Sequence, residues 1–233
     1  MREEKRTGAR SWSQQLIYNF LRVTARLVAV AFYRIRVFGR ENWPAEGGAL
    51  VCSNHQGFLD PPLVGLCCDR QLNFLAKKSL FRFPLKAFIE HLNAIPVNRA
   101  GTGLDGLKET LKRLRGGELV LIFPEGTRSE NGELGQLKPG FIAVARKGRT
   151  PIVPVAFDGS FQAWPKWQLL PALGVVHVKI GKPITAEEIA QMSDDELLSA
   201  LQTRMDTIFR EVQYSRARSM NPRIHTTDKT QFA

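Results

Sequence analysis

Cysteine is scarce in this sequence: there are three, Cys52, Cys67 and Cys68, all on apolar stretches. An odd count without a CxxC pair argues against a disulfide framework and for buried thiols in a reduced compartment. No Cys/His ligand cluster is present, so no metal site is expected. Uninterrupted apolar runs are short as well. In "WSQQLIYNFLRVTARLVAVAFYRIRVFG" Arg22, Arg26, Arg34 and Arg36 break the pattern, and the uncharged piece after Arg26 extends only from Leu27 to Tyr33. A spanning helix needs about 20 such residues. No small-residue cleavage site follows, which argues against a secretory signal. Internal repeats and low-complexity tracts are missing, and no helix-turn-helix, RNP-like or zinc-finger pattern supports nucleic acid as a partner. Acidic residues are in deficit, 22 against 33 Lys and Arg, giving a net charge of +11 and a pI near 10.0. Such a chain is drawn to anions, and a phosphorylated substrate or a membrane surface remains once nucleic acid is set aside.

What is present fits one substantial domain with appendages. A chain of 233 residues with 43% hydrophobic content can bury a single large core. Residues 1–36 read as an N-terminal amphipathic helical segment whose arginines and aromatics (Trp12, Tyr18, Phe20, Phe32) suit the headgroup region of a membrane. The plainer reading is a helix packed on the domain. Residues 37–214 alternate in an α/β manner. Strand candidates are "IRVFG", "ALVCSN", "NFLAKKS", "AIPVNR", "ELVLIFP", "PIVPVAF" and "GVVHVKIG", with helical patterns over residues 61–67, 79–92, 103–114 and 139–147. This order predicts an α/β fold with a mixed, largely parallel sheet flanked by helices. A long amphipathic helix or helix pair opens at Thr185, with Glu187 and Glu188 in its first turn. Residues 215–233 are polar and basic without periodicity and read as a disordered tail.

The stretch "SNHQGFLDPP" carries the first chemical signal. His55 and Asp60 are five positions apart, about 140° around a helix and on opposite faces of a strand. They meet only across a loop. The apolar run before His55 reads as a strand, and Asp60-Pro61-Pro62 reads as a helix start with Asp at the N-cap. Asp60 is therefore a cap, a partner of His55, or both.

Two further strand ends carry cations. "FPEGTRS" follows an apolar strand, at the carboxyl-end crevice where open α/β sheets bind ligands. Arg128 offers forked donors to a phosphate, Thr127 and the backbone around Gly126 add more, and Lys138-Pro139-Gly140 opens a helix whose free N–H groups favour an anion. Arg99 follows "AIPVN" at another strand end. A polar turn with surface arginines is the ordinary alternative. His91, His177 and His225 read as structural or solvated. Lys77, Lys78, Arg82 and Lys86, set among Phe and Leu, suit either a solvated face or a surface for headgroups or donor phosphates.

In the order "NHQGFLD", "AIPVNR", "FPEGTRS" and "IVPVAF", over roughly residues 39–183, these blocks resemble the four-motif signature of the glycerolipid acyltransferases, specifically the bacterial 1-acyl-glycerol-3-phosphate acyltransferase family. The resemblance implies transfer of a fatty acyl group from acyl-CoA or acyl carrier protein, as donor substrates and not cofactors, to the free hydroxyl of lysophosphatidic acid. It implies His55 and Asp60 as the catalytic pair, Arg99, Glu125, Gly126 and Arg128 as the glycerol-phosphate site, and Pro154 as the fourth block. It also implies peripheral or monotopic residence at the cytoplasmic face of a bacterial inner membrane. Gly57 stands where a small hydroxyl residue is common, and Asn98 where Asp is frequent.

General-base chemistry fits these residues. A neutral imidazole can take the proton of an attacking alcohol, and a carboxylate on its other nitrogen fixes the tautomer and stabilises the imidazolium. No GxSxG elbow is present, which favours direct transfer over an acyl-enzyme. Cys52 lies three residues before His55, on the opposite face of an extended run. Other readings stay open: glycerol-3-phosphate, another lysolipid or an amino lipid as acceptor, or a non-catalytic lipid binder of the same fold.

Overall fold

The computed structural model describes residues 33–57, 60–78, 94–97, 104–164 and 172–221, with positions 20, 24, 81, 167 and 168. The strands are β1 (Tyr33–Phe38), β2 (Ala49–Ser53), β3 (Leu72–Lys77), β4 (Ala94–Val97), β5 (Leu119–Ile122), β6 (Ile152–Asp158) and β7 (Gly174–Ile180). They form one sheet in the order β1-β7-β6-β2-β5-β3-β4. β2 pairs in parallel with β5 and β6, and β3 with β4 and β5. β7 runs antiparallel to β6, and β1 follows β7 in parallel. All seven strands were legible as apolar runs, and the mixed, largely parallel sheet is the one expected.

Parallel neighbours need crossovers. These include α1 (Asp60–Cys67) after β2, α2 (Leu104–Arg115) after β4 and α3 (Gly140–Gly148) after β5. The antiparallel return from β6 to β7 contains a one-turn helix, α4 (Ser160–Ala163). Two helices close the described chain, α5 (Ala186–Gln191) and α6 (Asp194–Met220). Each opens with a capping box, Thr185 with Glu188 and Ser193 with Glu196, so the long amphipathic stretch is a pair of helices.

Strand residues alternate between faces, and both faces are covered. Ala49 and Val51 of β2 join Leu63, Val64 and Cys67 of α1 on one side. Leu50 and Cys52 join Phe141 and Ala145 of α3 and Leu201, Met205 and Phe209 of α6 on the other. Every residue of β2 is buried. Truncating a core leucine such as Leu201 to Ala would cost about 2–5 kcal/mol. The strand that delivers the site therefore has no freedom to shift.

Two expected boundaries move. Residues 33–36, assigned by sequence to the N-terminal segment, belong to the sheet through β1. The helix α6 also passes the expected tail boundary at 215 and ends at Met220. Its last turns lack apolar periodicity but find polar partners: Ser215 Oγ lies 3.0 Å from His177 Nδ1, and Arg216 donates to Val175 O and Asp158. The N-terminal segment before Tyr33, apart from helical positions 20 and 24, and residues 222–233 lie outside the described residues. So does the helix expected over 79–92, apart from position 81. Among the described residues no helix is long and apolar enough to cross a membrane.

Candidate active site

The C-terminal ends of β2, β5 and β6 converge on one edge of the sheet. β2 stops at Ser53, and there a side chain replaces the missing strand. Asn54 Nδ2 donates to Phe157 O at 2.9 Å, and Phe157 N donates to Asn54 Oδ1 at 3.0 Å. The amide satisfies β6, and the next residue, His55, is free to leave the sheet. Its ring stacks on Phe123, just beyond β5, with centroids 3.9 Å apart and planes at 15°. The side chain keeps 17% of its surface exposed.

His55 Nδ1 lies 2.6 Å from Asp60 Oδ2, so the contact expected across the loop is present. With a carboxylate as acceptor, the proton belongs on Nδ1 and the lone pair on Nε2. Asp60 is fully buried. Its Oδ2 also accepts from Gln56 N at 2.6 Å and Gly57 N at 2.8 Å, while Oδ1 accepts from Ser160 Oγ at 2.6 Å. The carboxylate thus points back into the turn that precedes it, and these contacts, beyond its place as first residue of α1, define it. A charge with four donors tolerates burial that a bare carboxylate would not.

Glu125, expected beside the acceptor phosphate, ties two backbone segments together in this structure. Its Oε1 accepts from His55 N at 2.7 Å and its Oε2 from Gly135 N at 2.9 Å. Burial pushes its pKa up, and these two N–H groups oppose that shift. Ser129 N donates to His55 O at 2.7 Å and Gln56 Nε2 to Gly132 O at 2.5 Å, so the loop after β5 is stitched to the histidine turn.

The cations expected at this edge come from that same loop. Gly126 has φ +75°, a left-handed turn that suits glycine. A Cβ there would sit 3.1 Å from Lys138 Nζ, which places the ammonium over the Gly126-Thr127 turn. Thr127 and Lys138 are exposed and Arg128 is half-buried, one residue before the Ser129 tie to His55. Gly126, Thr127, Arg128 and Lys138 therefore share one rim beside the imidazole. Arg99 and Asn98 lie outside the described residues.

Pro154, expected as the fourth block, lies inside the sheet. It is buried within β6, opposite Cys52, and its ring would meet a Cβ on Gly181 at 3.0 Å. Gly181 N donates to its carbonyl at 2.8 Å, and the β7 ladder begins only at Val155. A proline fits there because its missing N–H falls where the ladder ends. Its ring packs in the core. Cys52 also lies away from the site: it belongs to the opposite core layer from α1 and Phe123, and burial pushes its thiol pKa well up.

A family model described as Acyltransferase matches residues 34–158, more than half of the chain. The chain belongs to the acyltransferase family. This acyltransferase is 29% identical over 199 residues to the 1-acyl-sn-glycerol-3-phosphate acyltransferase of Bacillus subtilis (strain 168), covering 84% of this chain and 97% of that protein. It is 33% identical over 178 residues to the Pseudomonas aeruginosa protein of the same name, covering 70% of this chain and 63% of that one. The chloroplastic LPAT1 of Arabidopsis thaliana, also named as a 1-acyl-sn-glycerol-3-phosphate acyltransferase, is 33% identical over 180 residues, covering 75% of this chain but 50% of its own. Among solved structures, the 1-acyl-sn-glycerophosphate (LPA) acyltransferase PlsC of Thermotoga maritima superposes with a TM-score of 0.74 at 24% identity, covering 89% of this chain and 84% of that one. The acyltransferase thus shares that fold.

Proposed function

We propose that the chain acylates the free hydroxyl of 1-acyl-glycerol-3-phosphate, giving phosphatidic acid, with His55 as general base. The 2.6 Å contact between His55 Nδ1 and Asp60 carries this reading, because it leaves Nε2 as the nitrogen for the acceptor hydroxyl. As the alcohol oxygen attacks the thioester carbonyl, its proton passes to Nε2 and a C–O bond forms. Collapse of the tetrahedral adduct breaks the C–S bond, and the imidazolium returns the proton to the departing thiolate. Asp60 stabilises the transient imidazolium without taking its proton. Arg128 and Lys138 hold the acceptor's phosphate, with Arg128 supplying the fork and Lys138 a point charge.

The donor is a fatty acyl thioester, either acyl-CoA or acyl carrier protein, used as a substrate. The acceptor is a lipid, and the proposed station is the cytoplasmic face of a bacterial inner membrane, bound peripherally or monotopically. The sheet topology supports that placement. Because β1 runs with β7, Tyr33 pairs with Gly174, which places the start of β1 at the same edge of the sheet as His55. Exposed Trp167, Leu173 and Met220 belong to the segments that flank this edge.

The test is initial-rate measurement on purified full-length protein, with labelled acyl-CoA or acyl carrier protein against a panel of lyso-acceptors. His55→Ala should lower kcat by at least about a hundredfold while the protein stays folded. Near-normal turnover in that variant would defeat the assignment.

A further inference from the structure

Asp60 uses its two oxygens differently. Oδ2 gathers the imidazole and the two N–H groups of the turn, whereas Oδ1 is held at 2.6 Å by the hydroxyl of Ser160, a hundred residues further along the chain. Ser160 is fully buried. We propose that Ser160 is a positioning residue for acyl transfer, its hydroxyl locking the Asp60 carboxylate so that Oδ2 stays on His55 Nδ1. The proposal rests on the reading of His55 as the base.

The surroundings give the hydroxyl proton one good destination. Gln56 Oε1 is 3.3 Å from Ser160 Oγ, but that oxygen is an acceptor and already faces Phe161 N, also at 3.3 Å. The Gln56 amide cannot turn to become the donor, because its Nε2 is committed to Gly132 O. The shorter bond, to a full negative charge, takes the proton. Without it, the carboxylate can swing and share the two turn N–H groups between its oxygens, and the imidazole loses its fixed acceptor.

The turn itself cannot supply a replacement. A Cβ at Gly57 would lie 2.5 Å from Trp164 O and 3.2 Å from Ser160 O, both backbone atoms of or next to α4. The one-turn helix therefore occupies the space of any side chain at position 57 and brings its own hydroxyl to the carboxylate. Its entry is equally constrained. Gly159 has φ +107°, and a Cβ there would meet Val175 O at 2.1 Å. The sharp turn at Gly159 aims Ser160 inward.

The experiment compares Ser160→Ala and Ser160→Thr in the full-length chain, alone and in the Asp60→Asn background, with kcat and both KM values expressed per folded enzyme from thermal-unfolding amplitudes. Ser160→Ala should lower kcat roughly ten- to a hundredfold, the range for a hydrogen bond to a charged group, with both KM values within about twofold. Threonine keeps the hydroxyl and should recover most of the rate. In the Asp60→Asn background the alanine should cost less than about threefold more, because the serine acts through the carboxylate. An undiminished loss in that background, a loss confined to KM, or a normal kcat for Ser160→Ala would overturn the proposal. If His55→Ala and Asp60→Asn themselves keep normal turnover, the general-base reading fails first, a distinguishable result.

Discussion

The backbone N–H of His55 donates to Glu125 Oε1 at 2.7 Å, and Gly135 N–H fills Oε2 at 2.9 Å. The carboxylate is a clamp between the histidine turn and the loop after β5 that carries Arg128. Glutamine at this position has one carbonyl oxygen for two donors, so one N–H would face an NH₂ group, at about 1–3 kcal/mol. Glu125→Gln should therefore lower both the melting temperature and kcat, by the same factor on phosphorylated and unphosphorylated acceptors. A defect limited to phosphorylated acceptors would return Glu125 to the ligand.

Asp60→Asn removes the charge beside the His55 ring; its one oxygen can stay with the three donors on Oδ2, and its NH₂ group then replaces the Oδ1 that accepts from Ser160. The rate should fall at least about a hundredfold with little change in acceptor KM. Titrating acceptor at saturating thioester checks this. Stability should also drop by about 1–3 kcal/mol, because the buried Ser160 hydroxyl loses its charged acceptor.

Arg128→Lys keeps charge but loses the planar fork. Acceptor kcat/KM should fall roughly ten- to a hundredfold, with little effect on the thioester's KM. The defect should shrink for an acceptor lacking phosphate. Lys138→Ala should weaken the same acceptor less and in a salt-dependent way, since an exposed ammonium acts as a screened point charge. Equal defects on both acceptor types would place these cations on the donor instead.

His177 predicts how stability responds to acid. It is buried on β7 against Ser215, and burial, then Arg36 and Arg216, lower its pKa, with Asp158 opposing. The unfolded chain takes up this proton near the ordinary histidine value of about 6.5, the folded chain only at lower pH. The histidine's contribution is thus complete above about pH 6.5 and declines as pH falls toward the lowered value. Melting temperatures followed from about pH 8 to about pH 5 should drop on the acid side, and His177→Gln should flatten that drop. An unchanged slope would show that other groups govern acid sensitivity.

The parts readable from sequence are those governed by local chemistry. All seven strands appear as short apolar runs, Thr185 marks a helix start through its capping box, and His55 and Asp60 are forced to meet across a turn because no regular element brings them together. The rest depends on contacts far apart in the chain. Nothing near Ser160 in "DGSFQA" distinguishes a buried donor to Asp60 from an ordinary turn serine. The Phe123 stack and the Asn54 bridge to Phe157 likewise need the sheet order. Glu125 sits in a motif beside an arginine, yet only the backbone positions of His55 and Gly135 reveal its clamp. The end of α6 was missed because its last turns are held by polar side chains, which leave no hydrophobic period.

The strand β1 has a consequence for any attempt to separate anchoring from catalysis. Cutting the chain after residue 36 would remove the residues that pair with Gly174 to His177 and leave that part of β7 as an open edge. An open edge recruits strands from other copies. Such a truncation should self-associate, and any vesicle binding lost with it would report aggregation instead of a missing anchor. A cut after residue 32 keeps Tyr33–Phe38 in place, so β7 stays paired and the sheet retains its own edge strand. Light scattering should find that shorter deletion monodisperse and the longer one not.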